Sequence, residues 1–172
     1  LDGLEGQGDS PTPRGARANT PTHVLFRLQL GACEPDGCPA VPQRTESQMS
    51  WNDEVIEEFL RGDERIADTF DRDFLILLDT TGAKSGVSRT APVGCFEDGD
   101  RLLIVASKAG APSHPDWFHN LVANPTVGVR RWENGELAEY GATATVLVGQ
   151  ERDRAFAEIV RRQENRKDEY LF

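Results

Sequence analysis

The pattern of apolar and polar residues predicts three helices. The first covers residues 50–60, where apolar side chains recur at helical spacing behind Ser50, a good helix-capping residue. The second covers residues 116–123 and ends before Asn124-Pro125, because a residue that precedes proline disfavours the helical conformation. The third covers residues 150–164, and its predicted inward face consists of Ala155, Phe156, Ile159 and Val160.

Five strands are predicted between these helices. A continuous apolar run at residues 74–78 ends at polar residues and glycine, which is typical of a buried strand. Residues 89–96 and 101–106 form one predicted hairpin, and residues 126–132 and 136–148 form another around Asn134-Gly135. Because strands do not alternate with helices and no G-x-G-x-x-G occurs, a Rossmann sheet is excluded. The pattern favours a mainly β, α+β fold: an antiparallel sheet curled into a small barrel with flanking helices.

Residues 1–48 differ in composition from the rest of the chain. They are rich in Pro, Gly, Thr and polar residues, and their one apolar stretch, at 24–30, has no evident packing partner. We therefore expect a disordered extension at 1–48 and a single folded domain at 49–172. The only methionine, Met49, immediately precedes the first well-patterned helix. Our hypothesis is that Met49 is the native initiator and that the extension is not native; a genuine flexible extension is the alternative.

Composition excludes several classes of function. A net charge of −10 disfavours nucleic acid or anionic lipid as a general partner. No apolar run approaches the roughly 18 residues of a membrane-spanning helix, so we expect a cytoplasmic protein, peripheral to the membrane at most. The spacing of Cys33, Cys38 and Cys95 fits neither a zinc site nor a redox motif. The sequence leaves open whether the protein is a monomer or a homodimer.

A local anion site is predicted around the loop at residues 82–88. Its glycines allow close approach of backbone N–H groups, Lys84 supplies charge and Ser85 a hydroxyl donor. The loop does not match a Walker sequence, since Ala83 precedes the lysine. Between residues 82 and 132 there are six basic and four acidic residues, a local excess of two positive charges. This contrast with the acidic chain favours an anion site but does not identify the anion.

A second loop, at residues 107–115, leads into the second helix. Lys108 opens the loop, and the N-terminus of the helix could hold an anion, with Trp117 or Phe118 against a flat ring. At least one of these two aromatic residues is expected to belong to the core instead. His114 and His119 do not share a helix face, and they lack the partners of a metal site or a catalytic triad.

Four stretches follow one another along the chain: 80–86 (TTGAKSG), 89–93 (RTAPV), 106–121 with its ASKAGA and HPDWFHNL segments, and 123–125 (ANP). In this order they resemble the motifs of the deazaflavin-dependent nitroreductase and quinone reductase family, over about residues 50–163. The resemblance implies a split β-barrel of antiparallel strands like that of FMN-binding flavin reductases. It also implies binding of reduced coenzyme F-420, an anionic deazaflavin, and hydride transfer to a quinone, a nitroaromatic or a similar acceptor.

The resemblance also implies which residues hold the cofactor. Those expected at its phosphate and glutamate tail are Ala83, Lys84, Ser85, Arg89 and Thr90. Those expected to pass along it are Ala91, Pro92, Val93 and Gly94. The rest of the pocket would be lined by Val105, Ala106, Ser107, Lys108, Asp116, Trp117, Phe118, His119 and Asn120. No residue needs to act as a nucleophile.

The chain departs from the family pattern at its C-terminus. Family members often continue into a strand of the Arg-x-Ile-Pro-Val type, whereas residues 165–172 read NRKDEYLF. Tyr170 and Ser107 are candidates for contact with the acceptor. Two alternatives stay open: an FMN-dependent reductase on the same barrel, and a non-catalytic carrier of the deazaflavin.

Overall fold

The fold is described by a computed structural model, which covers residues 24–32, 50–67, 70–108 and 111–165. The helices are α1 (Trp51–Arg61), α2 (Asp116–Ala123) and α3 (Gly149–Asn165). The strands are β1 (Leu25–Gly31), β2 (Arg65–Ile66), β3 (Phe70–Asp71), β4 (Leu75–Thr81), β5 (Ser88–Asp98), β6 (Arg101–Val105), β7 (Thr126–Glu133) and β8 (Glu136–Val146). All three predicted helices and all five predicted strands are present.

Six of the strands close into a barrel in the order β1-β6-β5-β4-β7-β8. Every pairing between neighbours is antiparallel, and β2 and β3 form a separate two-stranded sheet. The predicted antiparallel barrel with flanking helices is therefore confirmed. None of the described helices is both long and apolar enough to span a bilayer.

The expectation of a disordered extension at residues 1–48 is wrong for residues 25–31. These residues form β1, which lies between β6 and β8 and pairs with both. Leu25, Phe26 and Leu28 are almost completely buried. The sequence pattern missed this strand because its partners lie about 70 to 120 residues further along the chain. That Met49 is the initiator stays a prediction, and a chain starting there would lack β1.

Turn and cap residues explain where several elements begin and end. Asn134 and Gly135 both have positive φ, 52° and 84°, as the tight turn between β7 and β8 requires. At the start of α1 the backbone N–H of Ser50 donates to the Asp53 carboxylate at 2.8 Å. The helix ends at Gly62, whose φ of 87° is the left-handed conformation common after a helix.

Apolar side chains pack on both faces of the barrel wall. Along β4, Ile76 and Leu78 face the barrel interior, whereas Leu75 and Leu77 pack under α1. On another part of the wall, Ile159 of α3 is buried, as predicted. Because successive residues of a strand point to opposite faces, the outward residues of β5 are left beside α1. A cavity lies there.

Candidate functional site

A cavity of about 1140 Å³ runs along β5 from Arg89 to Phe96. Residues of α1, β3, the loop after β4, the loop after β6 and the start of α2 form its other walls. Its volume is slightly above the roughly 300–1,000 Å³ usual for small-molecule sites. The cavity is therefore large enough for an extended cofactor.

The loop between β4 and β5 is a tight, hydrogen-bonded turn at one end of the cavity. The N–H of Gly82 donates to the carbonyl of Val87 at 2.9 Å, and the N–H of Gly86 donates to the carbonyl of Gly82 at 2.8 Å. A Cβ on Gly82 would lie 2.5 Å from Ser85 Oγ, so no larger residue fits at this position without movement. The turn places Lys84 and Ser85 in the cavity wall. We call residues 82–87 the anion loop.

Three of the six basic residues in the 82–132 window line the cavity: Lys84, Arg89 and Lys108. Among the described residues that line the cavity, Asp116 is the one carboxylate. The other three basic residues form ion pairs: Arg101 with Asp100, Arg130 with Asp79, and Arg131 with Glu97 and Glu133. The described lining residues of the cavity thus carry a net excess of positive charge, as predicted. Three basic residues provide it, and not the six counted in the sequence.

Lys108 has an unusual backbone conformation. Its φ is 48°, in the left-handed region that residues other than glycine seldom adopt. Its carbonyl accepts the N–H of Ala111 at 3.1 Å, and its Nζ donates to Ser113 Oγ at 3.4 Å. Strained conformations of this kind concentrate at functional sites. The strain fits a lysine held at the edge of a binding cavity.

The first two turns of α2 divide their side chains between the cavity and the core. Trp117 and His119 line the cavity. The Phe118 ring packs edge-on against Phe26 of β1, with centroids 5.7 Å apart, and stacks on His114 at 4.1 Å. The Trp117 ring also meets Phe26 edge-on, at 6.1 Å, so both aromatic residues pack against the core, and Trp117 lines the cavity as well. This agrees with the expectation that at least one of them belongs to the core. Among the described residues, no His, Cys, Asp and Glu side chains cluster as metal ligands.

The side chain of Asn120 on α2 forms hydrogen bonds with both the anion loop and strand β4 of the barrel. Its Oδ1 accepts the backbone N–H of Ala83 at 2.9 Å, and its Nδ2 donates to Thr80 Oγ1 at 3.0 Å. Both hydrogen bonds cross between elements that lie about 40 residues apart in sequence. The side chain therefore fixes the position of the loop relative to the second wall of the cavity.

A buried ion pair stands behind the cavity wall. Arg130 of β7 donates from Nε to Asp79 Oδ2 at 3.0 Å and from a terminal nitrogen to Asp79 Oδ1 at 2.9 Å. Asp79 and Arg130 are only 3% and 6% exposed. The hydroxyl of Thr90, which lines the cavity, donates to Asp79 Oδ1 at 2.5 Å. The pair is thus connected to the cavity through one hydroxyl group.

Two pairs of aromatic rings also line the cavity. Trp51 of α1 is 56% exposed and meets Phe70 edge-on, with ring centroids 6.1 Å apart. Phe74 and Phe96 form a second edge-on pair at 5.1 Å. Gly94 makes room for this pair, since a Cβ there would lie 2.7 Å from the Phe74 ring. Along β5 the lining therefore changes from the cationic Arg89 to the aromatic pair of Phe74 and Phe96 beside Gly94.

The structure brings most of the sequence-predicted site residues together. Those that line the cavity are Ala83, Lys84, Ser85, Arg89, Thr90, Ala91, Pro92, Val93, Gly94, Val105, Ser107, Lys108, Asp116, Trp117, His119 and Asn120. Ala106 and Phe118 do not line it, because both pack in the barrel core. Tyr170 lies outside the described residues.

Sequence reasoning missed several residues around the cavity. The further lining residues are Trp51, Asn52, Val55, Phe70, Phe74, Leu75, Thr80, Phe96, Pro115 and Gln163. Gly82 also lines the cavity and belongs to the loop that was predicted as an anion site. Asp79 and Arg130 were also missed as a pair. The sequence does offer a signal for Trp51 as a site residue. It is a large aromatic residue at the first position of α1, where few residues of the same helix can cover its ring, so the ring is available to another surface or to a ligand. Nothing local in the sequence connects Asp79 with Arg130.

Cys95 lies inside the barrel and takes no part in the site. It is 6% exposed, and burial raises the pKa of its thiol to about 12. A thiol with so high a pKa is protonated at neutral pH and is a poor nucleophile. Cys33 and Cys38 lie outside the described residues.

Curated relatives match part of the chain. Two F420H(2)-dependent quinone reductases of Mycobacterium tuberculosis, from strains H37Rv and CDC 1551, are each 44% identical to it over 80 residues. The match covers 46% of this chain and 51% of each relative. The chain therefore spans about half the length of the curated relatives it matches.

Two solved structures are also similar. One is described as an F420-H2 dependent reductase (FDR-A); it is 39% identical, and the match covers 54% of this chain and 78% of that one, with a TM-score of 0.44. The other is described as a domain-swapped dimer; it is 37% identical, and the match covers 64% and 81% of the two chains, with a TM-score of 0.45.

The family model described as F420H(2)-dependent quinone reductase matches residues 52–170 of the 172. The matched range contains α1 from its second residue onward, the anion loop, β5 and α2, and with them every described cavity residue except Trp51. The chain belongs to the F420H(2)-dependent quinone reductase family.

Proposed function

We propose that this protein is an oxidoreductase that binds reduced coenzyme F-420 in the cavity along β5 and transfers hydride to a quinone. The observation that carries the proposal is the polarity of the cavity. One end presents Lys84, Ser85 and Arg89, and the other presents aromatic rings. A cofactor with an anionic tail and a flat ring matches such a cavity from end to end, and the family's description names that cofactor.

The donor set at the anion loop fits the tail of the cofactor. Neither Lys84 nor Arg89 forms an ion pair with another described residue, and both line the cavity. Ser85 Oγ accepts the N–H of Val87 at 3.2 Å, so its own proton is available to an anionic oxygen. Cationic donors hold phosphate and carboxylate groups more strongly than neutral donors do. We therefore assign the phosphate and glutamate tail to this end.

The ring and the acceptor would share the rest of the cavity. Trp117 presents an aromatic surface from α2, and Phe74 and Phe96 present others from the barrel wall. Flat, apolar molecules gain free energy from burial against such surfaces. A quinone fits this apolar end better than a charged acceptor does. Ser107, at the edge of the cavity, stays a candidate for polar contact with the acceptor.

The protein's part in the reaction is binding and orientation. When bound, the reduced deazaflavin supplies the hydride. The anion loop and Asn120 hold one end of the site in a fixed position relative to α2. No side chain of the cavity is needed as a nucleophile.

Cofactor titration tests the proposal. The full chain is titrated with coenzyme F-420 and with FMN, and binding is followed by the fluorescence of each cofactor. We expect tighter binding of F-420, because the cavity presents several cationic donors to its longer anionic tail. Tighter binding of FMN would contradict the proposal and favour a flavin reductase.

Turnover is tested separately. Oxidation of reduced F-420 is followed with menaquinone and with a nitroaromatic compound. We expect faster turnover with the quinone. Turnover with the nitroaromatic alone would contradict a quinone as the acceptor and favour a nitroaromatic acceptor. Tight binding of F-420 without turnover of either acceptor would favour a non-catalytic carrier.

A further inference from the structure

Two hydroxyl groups in the cavity wall have opposite hydrogen-bonding roles. Ser85 Oγ accepts the backbone N–H of Val87 at 3.2 Å. Thr90 Oγ1 instead donates its proton to Asp79 Oδ1 at 2.5 Å. A hydroxyl has one proton and two lone pairs. If its proton is donated to another protein group, the hydroxyl can only accept a hydrogen bond from a ligand; if it accepts from the protein, its proton can still be donated to a ligand. Ser85 retains a proton for the ligand, and Thr90 does not.

The direction of the Thr90 hydrogen bond follows from the ion pair behind it. Arg130 has donors only, and it donates to both oxygens of Asp79. The two charges are buried together, with Asp79 in the carboxylate form that matches the planar guanidinium. A carboxylate can only accept. Thr90 must therefore be the donor in its contact with Asp79.

Strand register keeps the Thr90 hydroxyl in place. Asp79 of β4 and Thr90 of β5 are directly paired, so their side chains lie on the same face of the sheet. Arg130 approaches from β7, the other neighbour of β4. Within the part of the chain that the structure describes, no other hydrogen bond reaches Thr90 Oγ1. Its lone pairs are available in the cavity wall, and its proton is not.

We propose that Thr90 is a specificity-determining residue that accepts a hydrogen bond from an uncharged O–H or N–H of the cofactor, with Asp79 and Arg130 as its positioning residues. The inference rests on the proposed function for the identity of the ligand. A phosphate diester or a carboxylate has no proton to donate, so Thr90 does not contact either of these groups. Thr90 faces the polyol chain or the ring, and the tail lies beyond it at Ser85 and Lys84. This revises the expectation that Thr90 meets the phosphate.

Binding of two ligands shows whether Thr90 contacts the ring and polyol chain or the anionic tail. One is intact F-420; the other is its deazaflavin fragment, which has the ring and polyol chain but neither phosphate nor glutamate. Thr90→Val keeps the shape of the side chain and removes the hydroxyl. We expect it to raise the Kd of both ligands by the same factor, about fivefold for one hydrogen bond. Thr90→Ser keeps the hydroxyl and should bind both ligands about as wild type does.

Two control variants calibrate the comparison. Ser85→Ala removes the hydroxyl that is assigned to the anionic tail and should raise the Kd of intact F-420 only. Thr143→Val makes the same chemical change as Thr90→Val at an exposed position of β8 and should change neither Kd. Near-ultraviolet circular dichroism checks that each variant is folded.

The outcomes separate this inference from the proposed function. If wild type binds neither ligand, the proposed function fails, and the inference fails with it. If wild type binds both ligands and Thr90→Val weakens only intact F-420, Thr90 meets the anionic tail and the inference is wrong. It is also wrong if Thr90→Val binds both ligands as wild type does, or if Thr90→Ser loses as much affinity as Thr90→Val.

Discussion

The Oδ1 atom of Asn120 accepts the backbone N–H of Ala83 at 2.9 Å, across 37 residues of sequence. The same amide donates from Nδ2 to Thr80 Oγ1 at 3.0 Å. One side chain on α2 thereby holds both the end of β4 and the loop that follows it. The cationic loop and the aromatic start of α2 are two walls of one cavity, and this amide sets the spacing between them.

Replacing Asn120 with alanine should weaken cofactor binding more than it weakens the fold. The change leaves the N–H of Ala83 without its partner and releases the anion loop from α2. We expect the binding free energy for F-420 to fall by about 1–2 kcal/mol. Fluorescence titration measures the loss, and urea denaturation measures the change in stability.

Asn124 supplies a matched control for this variant. Its Nδ2 donates to the carbonyl of Thr81 at 3.3 Å, so Asn124→Ala also removes an amide contact between α2 and the end of β4. It does not line the cavity and does not touch the anion loop. Asn124→Ala should bind F-420 normally. Equal losses in the two variants would show that Asn120 has no particular role in placing the loop.

Lys84→Ala and Arg89→Ala should each weaken binding of F-420 by about 1–3 kcal/mol, the range for a charge-assisted contact. The loss should shrink as salt concentration rises, because exposed charges are screened. Arg101→Ala is the control, since Arg101 pairs with Asp100 and does not line the cavity. Normal binding by both cavity variants would exclude the anion loop as the phosphate site.

A feature of this site could be predicted from the sequence when the residues that form it are close together along the chain. The Asn134-Gly135 turn was predicted, because a tight reversal is fixed by the residues within it. The Asp79–Arg130 pair was not, because its partners are 51 residues apart. An aspartate at the end of an apolar run looks like the start of a turn, and an arginine within a strand looks solvent-exposed. Only the register of β4 and β7 makes them neighbours.

Leu28→Ala tests the place of β1 in the barrel. Leu28 is fully buried between Leu102 of β6 and Ala144 of β8. Shortening such a side chain leaves a cavity, and we expect a loss of about 2–5 kcal/mol in the free energy of unfolding. Gln29→Ala, at the exposed neighbouring position, should change stability by no more than about 0.5 kcal/mol. Equal stabilities of both variants and wild type would place residues 25–31 outside the barrel.

Cys95 should make stability depend on pH in the alkaline range. Burial raises its pKa from 9.0 to about 12, so the folded state favours the protonated thiol. The resulting stabilisation is complete below about pH 9 and is lost as the pH rises toward 12. Cys95→Ala should be less stable at neutral pH because it loses core packing, but its stability should fall less steeply above pH 9. Urea midpoints measured across this pH range give the slope of stability against pH for wild type and for Cys95→Ala. Equal slopes would show that the Cys95 thiol does not cause the loss of stability at high pH.

The position of β1 determines the order in which the barrel can be completed. Phe26 pairs with Val146, 120 residues later, whereas the β4–β5 hairpin that carries the anion loop needs only neighbouring residues. Pairings between distant residues form slowly, because a long loop must close before they contribute any free energy. During synthesis from the N-terminus, β1 therefore has no partner strand until β6 has left the ribosome, and it is paired on both sides only after β8 has followed. Its apolar residues are exposed for most of that time, and that is when the chain is most prone to aggregate.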